Sequence, residues 1–181
     1  MKYPKRRGHK GSSIAEFGPA LILILIVFLF PMIDLIYLGI AYAAGWYCNH
    51  LVIREVACHN PCDNAAMGLA INTATNAWGA SGLSNFIGNP NVTNVVTFTQ
   101  VSKPVAGGSE TVGATITYPS AVPLPTQSLT TATYTGYCAV TTKMSIKPFV
   151  SLPWIGDVPG INAPISFTFG DRRPQEEKGI T

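Results

Sequence analysis

Residues 17–33, FGPALILILIVFLFPMI, form a stretch of seventeen residues without a charge. Crossing a bilayer takes ~17–25 apolar residues, and at ~1.5 Å per residue the stretch covers roughly 25 Å as a helix. A segment of this kind belongs in a core or in lipid, and its flanks favour lipid. Lys2, Lys5, Arg6, Arg7 and Lys10 precede it with no acid among them, whereas from Ser12 onward seven basic residues face nine acidic ones. The net charge of +3 is therefore a local basic block, as expected on the cytoplasmic side of a membrane helix. A basic block can also be a nucleic-acid arm, but the adjoining apolar run argues against that, and no nucleic-acid partner is expected. The orientation expected is single-pass, N-terminus in the cytoplasm, with the remainder extracytoplasmic.

Asp34 ends the uncharged run. At a bilayer centre an aspartate costs ~2.5–3.5 kcal/mol, so Asp34 is expected near the outer interface. Tyr37, Tyr42, Trp46 and Tyr47 follow and read as an interfacial aromatic belt. Pro19 falls near a helix start, where its missing N–H is harmless. Pro31 falls inside and is expected to kink or locally open the helix. A secretory signal peptide is a rival reading, with Ala41-Tyr42-Ala43 as the cleavage site and Ala44 as the new start. Against it stand a length well beyond the usual ~15–30 residues and the intruding Glu16 and Asp34.

Charged residues make up only 12% of the chain, about half the ~25% of a soluble domain. Beyond the apolar run the sequence is rich in Thr, Ser, Asn and Gly, which suits a neutral-surfaced, β-rich outer domain. The first helix is expected to continue to about residue 57, with Leu51, Val52, Glu55 and Val56 at helical spacing. Asn60 then caps a second helix with Pro61 at its first position. That helix is expected to run to about Trp78, to present Cys62, Ala66, Leu69, Ala70 and Ala77 on one face, and to end at Gly79 and Gly82. After it the period changes to two. Val92, Asn94, Val96 and Phe98 alternate with Thr93, Val95, Thr97 and Thr99. Similar alternation covers 112–118, 138–147 and 161–169, which predicts four antiparallel strands with one face on the helices. Residues 172–181 read as a polar frayed tail. The expected fold class is α+β: a long N-terminal transmembrane helix, a second short helix, and a small antiparallel sheet of about four strands packed on helix. The expected divisions are a basic leader at 1–11, the transmembrane and assembly helix at 12–57, and an extracytoplasmic helix-plus-sheet domain at 58–181.

Four cysteines, Cys48, Cys58, Cys62 and Cys138, in an extracytoplasmic domain suggest disulfides. Cys62 and Cys138 lie on apolar faces of helix and sheet, and their bridge is the expected one. Cys48 and Cys58, ten residues apart, would be separated by ~15 Å on a continuous helix, beyond the ~4.4–6.8 Å Cα separation a bridge needs. A metal site built from Cys58, His59 and Cys62 with His50 and Cys48 has the right ligand types but no standard spacing, and none is expected. No catalytic motif is present: there is no G-x-S-x-G, no H-E-x-x-H and no Gly-rich phosphate loop. Neither an enzymatic role nor a cofactor is expected.

One motif remains. Gly11-Ser12-Ser13-Ile14-Ala15-Glu16-Phe17 joins the basic leader to the apolar helix, with an acid where a membrane segment ordinarily avoids one. The order of basic leader, Gly, four residues, Glu, Phe and apolar helix resembles the type IV prepilin-like proteins. Within them, GSSIAEFGPALILILIVFLF is most similar to the TadE-like pseudopilins of the Tad (Flp) pilus. The specific likeness covers about residues 8–45. Beyond it only the order of helix, short β region and Pro-containing loop is similar.

The resemblance implies cleavage between Gly11 and Ser12 by a prepilin peptidase, with Ser12 as the new N-terminus. It also implies assembly with other pilin subunits through the N-terminal helix, aided by Glu16 and Phe17, first in the inner membrane as a prepilin and then in an extracytoplasmic pilus. The physics is compatible. Cleavage creates an α-ammonium at Ser12, and Glu16 lies one helical turn on, where the helix dipole favours an acid. Two charges in low dielectric are tolerated when paired, so Glu16 can neutralise the amine of its own or a neighbouring subunit. The alternative is a single-pass anchored binding domain that does not polymerise.

Overall fold

The structure is a computed structural model and describes residues 12–59, 63–102, 111–119, 134–150, 156, 158–159 and 163–175. The chain opens on helix α1 (Ser12–Ile24), passes through a π-helical turn (Leu25–Leu29) and continues as α2 (Phe30–Ala57). The π turn lies just ahead of Pro31, where local opening is expected. Pro31 has no N–H to offer the carbonyl of Val27, and its ring crowds that carbonyl. The wider π turn is a common way for a helix to absorb such a break.

The outer half of α2 carries the core. Ala41, Ala44, Cys48, Val52 and Val56 are buried at intervals of three and four, the period of one helix face, with Ile53 buried beside them. Small residues lead this face, so the sheet approaches closely. At Gly45 the approach is tightest, because any Cβ there would meet the Phe169 ring and Met144 Cε.

The second helix, α3, spans Asn64–Gly79. It starts later than expected, and its cap is Asp63. The Asp63 carboxylate accepts from the N–H groups of Ala65 and Ala66 at 2.9 and 3.1 Å, satisfying two of the orphan donors of the first turn. Asn60, Pro61 and Cys62 lie outside the described residues. The buried face is also different from the one expected. Met67, Ala70, Ala74 and Trp78 point inward, while Leu69 is 66% exposed. Trp78 sets this rotation: its ring is buried and its Nε1 donates to the Ala44 carbonyl at 3.2 Å. A short helix, α4 (Gly82–Phe86), occupies what read as the end of α3. Ser81 caps it by accepting from Ser84 N–H at 3.3 Å.

The four strands are β1 (Val92–Ser102), β2 (Thr111–Tyr118), β3 (Tyr134–Ile146) and β4 (Ile165–Pro174). All pairings are antiparallel and the order is β2-β1-β3-β4. Strand alternation places side chains as expected: Val96 and Phe98 of β1, Cys138, Val140, Thr142, Met144 and Ile146 of β3, and Phe169 of β4 are buried toward the helices. The fourth strand runs later than expected and takes in Arg172 and Arg173, which read as tail. Arg172 gains a place there by laying its guanidinium 4.1 Å from the Tyr137 ring centroid, a cation–π contact.

α2 packs across β3 and β4, and α3 reaches β1 through Thr75. A buried polar chain ties these elements together. Asn94 Nδ2 donates to Thr75 Oγ1 at 3.2 Å, and Thr142 Oγ1 donates to Asn94 Oδ1 at 2.8 Å. Asn49 lies 2.9 Å from the same hydroxyl. Both neighbours present an amide Oδ1, so the one hydroxyl proton of Thr142 serves two acceptors. One network thereby links α2, β3, β1 and α3. The fold is α+β, with a long apolar N-terminal helix, a shorter helix and a four-stranded antiparallel sheet packed on helix.

Candidate membrane and assembly helix

One helix, Phe17–Ala57, is long and apolar enough to cross a membrane, and only 11% of its most apolar window is buried. A core helix of a water-soluble domain would be mostly covered. Here Phe17, Ile22, Leu23, Val27 and Phe28 are all more than half exposed. Asp34 is the first buried residue of the described chain. Below it an apolar rod stands clear of the folded domain; above it the same helix is the spine of that domain.

Residues 12–17 of the Gly-x4-Glu-Phe motif form the N-terminal turns of this rod. α1 begins at Ser12, so the backbone places Ser12 and Glu16 one turn apart on one helix. Gly11 lies outside the described residues. Phe17 is 65% exposed and open to lipid or to another helix.

Asp34, expected near the outer interface, is enclosed by the fold. It is 1% exposed and accepts from Val150 N–H at 2.9 Å. Its Oδ2 has no hydrogen-bond partner among the described residues. Of the aromatics expected as an interfacial belt, Tyr42, Trp46 and Tyr47 are 52%, 57% and 39% exposed, and Tyr37 alone is covered. Tyr37 is buried and its hydroxyl donates to the Ile87 carbonyl at 3.0 Å. Tyr42 packs on Phe167 and Phe169 with ring centroids 5.7 and 5.0 Å away. Trp46 stacks on His50 at 5.3 Å. Two of these rings therefore serve the outer domain, against a core residue and a sheet strand. The aromatics gathered at the base come from elsewhere: Phe86 of α4 and Phe149 after β3 flank Tyr37 at 6.0 and 5.5 Å. No local pattern marks Phe149 for this place, because its position depends on a contact between segments more than a hundred residues apart.

The cysteines are dispersed. Cys48 and Cys138 are fully buried free thiols. Cys138 lies within the core, and Cys62, the partner expected for it, lies outside the described residues, as does their expected bridge. α2 runs unbroken from Cys48 to the cap position at Cys58, which keeps those two apart as the helix rise requires. His50 faces the Arg173 guanidinium, with Nδ1 at 3.2 Å, and His59 Nδ1 lies 2.8 Å from the Glu55 carbonyl of its own helix. Among the described residues no group of three His, Cys, Asp or Glu side chains is placed to hold a metal.

Burial pushes the Cys138 thiol up to about 11 from 9.0. A thiol whose folded value is raised stabilises the fold below its ordinary value, and that contribution is lost as pH rises from there toward the folded value. At 1.36 kcal/mol per unit the loss is roughly 2–3 kcal/mol across this window. Melting curves at pH 8 and pH 10.5 for the parent and Cys138→Ala are expected to differ in slope, the parent losing more stability with pH. Equal slopes would mean that Cys138 does not hold its proton in the core.

Comparison with models of known protein families, with curated protein sequences and with solved structures gives no match to this chain.

Proposed function

We propose that this chain is a structural, pilin-like subunit of the TadE-like kind. It inserts in the cytoplasmic membrane with its basic leader inside, is processed after Gly11, and joins or primes a Tad-type or related pilus through its N-terminal helix. The observation that carries this reading is the bare apolar rod below Asp34, with the Gly-x4-Glu-Phe motif at its N-terminal end in the sequence. A plain anchor needs the rod but has no use for an acid at its entrance. A subunit that packs helix against helix has one, because the acid can meet the α-ammonium that processing creates. The α+β outer domain then projects from the membrane or filament surface.

The helix-packing part of this reading is tested by placing a photo-crosslinking residue at Phe28, exposed near the middle of the rod. In the native host, illumination is expected to capture the N-terminal helix of another pilin-like subunit. Capture of lipid alone would give the anchored, non-polymerising domain instead.

A further inference from the structure

We propose that the base of the outer domain is a membrane-embedded foot, in which Phe86 and Phe149 enter the outer leaflet of the bilayer and the fold encloses Asp34 so that this level can do so. The proposal rests on the reading of the rod as membrane-spanning, and it adds where the folded domain stands relative to the lipid.

Length gives the first argument. Residues 17–33 cover roughly 25 Å as a helix, short of the ~30 Å of a typical hydrocarbon core. Leu35 and Ile36, 67% and 61% exposed, continue the apolar surface past Asp34, and a span of residues 17–36 matches the hydrocarbon at roughly 30 Å. That span puts the Asp34 level inside the edge of the lipid.

The second argument is how Asp34 is held. A carboxylate that meets water at an interface needs no cover, whereas one at the level of acyl chains must be removed from them. Asp34 is 1% exposed, and a backbone N–H from Val150 reaches it at 2.9 Å. Phe149, the residue before that donor, turns outward and is 63% exposed.

The third argument is the rim itself. Phe86 is 56% and Leu83 42% exposed, and both belong to α4, which the Tyr37 hydroxyl holds at the Ile87 carbonyl. Two distant parts of the chain thus bring exposed phenylalanines against Tyr37, one helical turn beyond Asp34. With Leu35 and Ile36 they carry exposed apolar surface on from the rod, so the occupant that fits it is the same lipid.

The test uses the full-length protein in phosphatidylcholine vesicles whose acyl chains are brominated at positions spread from headgroup to chain end. Tryptophan is introduced singly, as Phe86→Trp, Phe149→Trp, Val27→Trp in the rod and Leu69→Trp on the outward face of α3. The fluorescence of the parent, from Trp46, Trp78 and Trp154, is subtracted. The added signals of Phe86→Trp and Phe149→Trp are expected to be quenched at least half as strongly as that of Val27→Trp, with Leu69→Trp unaffected. If Val27→Trp is quenched and both foot positions behave like Leu69→Trp, the rod spans but the domain stands off, and the foot is overturned. If Val27→Trp itself escapes quenching, the membrane-spanning reading fails and takes the foot with it.

Discussion

Replacing Glu16 by alanine is expected to leave membrane insertion intact and to lower the yield of subunit–subunit cross-links from Phe28 at least tenfold. The reasoning turns on where each charge is solvated. In the proposed processed subunit the Ser12 amine and the Glu16 carboxylate would sit at the cytoplasmic edge of the rod, within reach of water and headgroups, so removing one would have little effect on insertion. Packing the rod among other helices takes both groups into low dielectric. A charge buried without its partner is strongly destabilising, ~3–5 kcal/mol for a broken buried pair, and every 1.4 kcal/mol is tenfold in an association constant. Glu16→Gln separates charge from shape, since it keeps the size and loses the pairing. It is expected to behave like Glu16→Ala. Normal cross-link yield in both variants would show that Glu16 has no role in assembly.

Gly45→Val is expected to lower the stability of the outer domain by about 3 kcal/mol, near the upper end of what overpacking usually costs. Gly45 lies where α2 crosses the sheet, and a Cβ there would fall within 2.7 Å of Phe169 Cζ and 2.6 Å of Met144 Cε. Met144 is flexible, but it is 1% exposed, and Phe169 is 5% exposed with its ring against Tyr42. Neither can yield without displacing a neighbour, and a β-branched side chain adds two more carbons. The rod below Asp34 is untouched by this change. Thermal unfolding of the detergent-solubilised protein should therefore shift downward by roughly 10 °C, with the protein still recovered in the membrane fraction. An unchanged midpoint would mean that α2 and the sheet are not in close contact at this level.

The rod was legible because a long uncharged stretch has few possible fates. The inward faces of the strands were legible for a similar reason: strict alternation leaves only one face apolar, as Cys138, Val140, Met144 and Ile146 do in β3. What escaped the sequence was decided by partners far along the chain. The face of α3 is set by Trp78 reaching back to the Ala44 carbonyl, and apolar spacing alone fitted a face one step round the helix equally well. The arginines of β4 read as tail because nothing local shows Tyr137 waiting across the sheet. The aromatics after Asp34 matched an interfacial belt in composition, yet Phe167 and Phe169 draw Tyr42 onto the sheet, and Ile87 draws Tyr37 into the core. Asp34 carried a visible signal, a lone acid beside an apolar run, but its donor at Val150 could not be named from spacing. The Gly-x4-Glu-Phe motif is the opposite case. It was legible entirely as a local pattern, and the fold adds to it only that Ser12 and Glu16 share one helix.

The central claim, that this is a processed pilin-like subunit, is tested most directly by the intact mass and N-terminal sequence of the protein extracted from the membrane of its own host. Processing after Gly11 predicts a mature chain that begins at Ser12 and lacks the basic leader. A chain beginning at Met1 would make it an uncleaved anchor, and one beginning at Ala44 a secreted domain; either result would contradict the account.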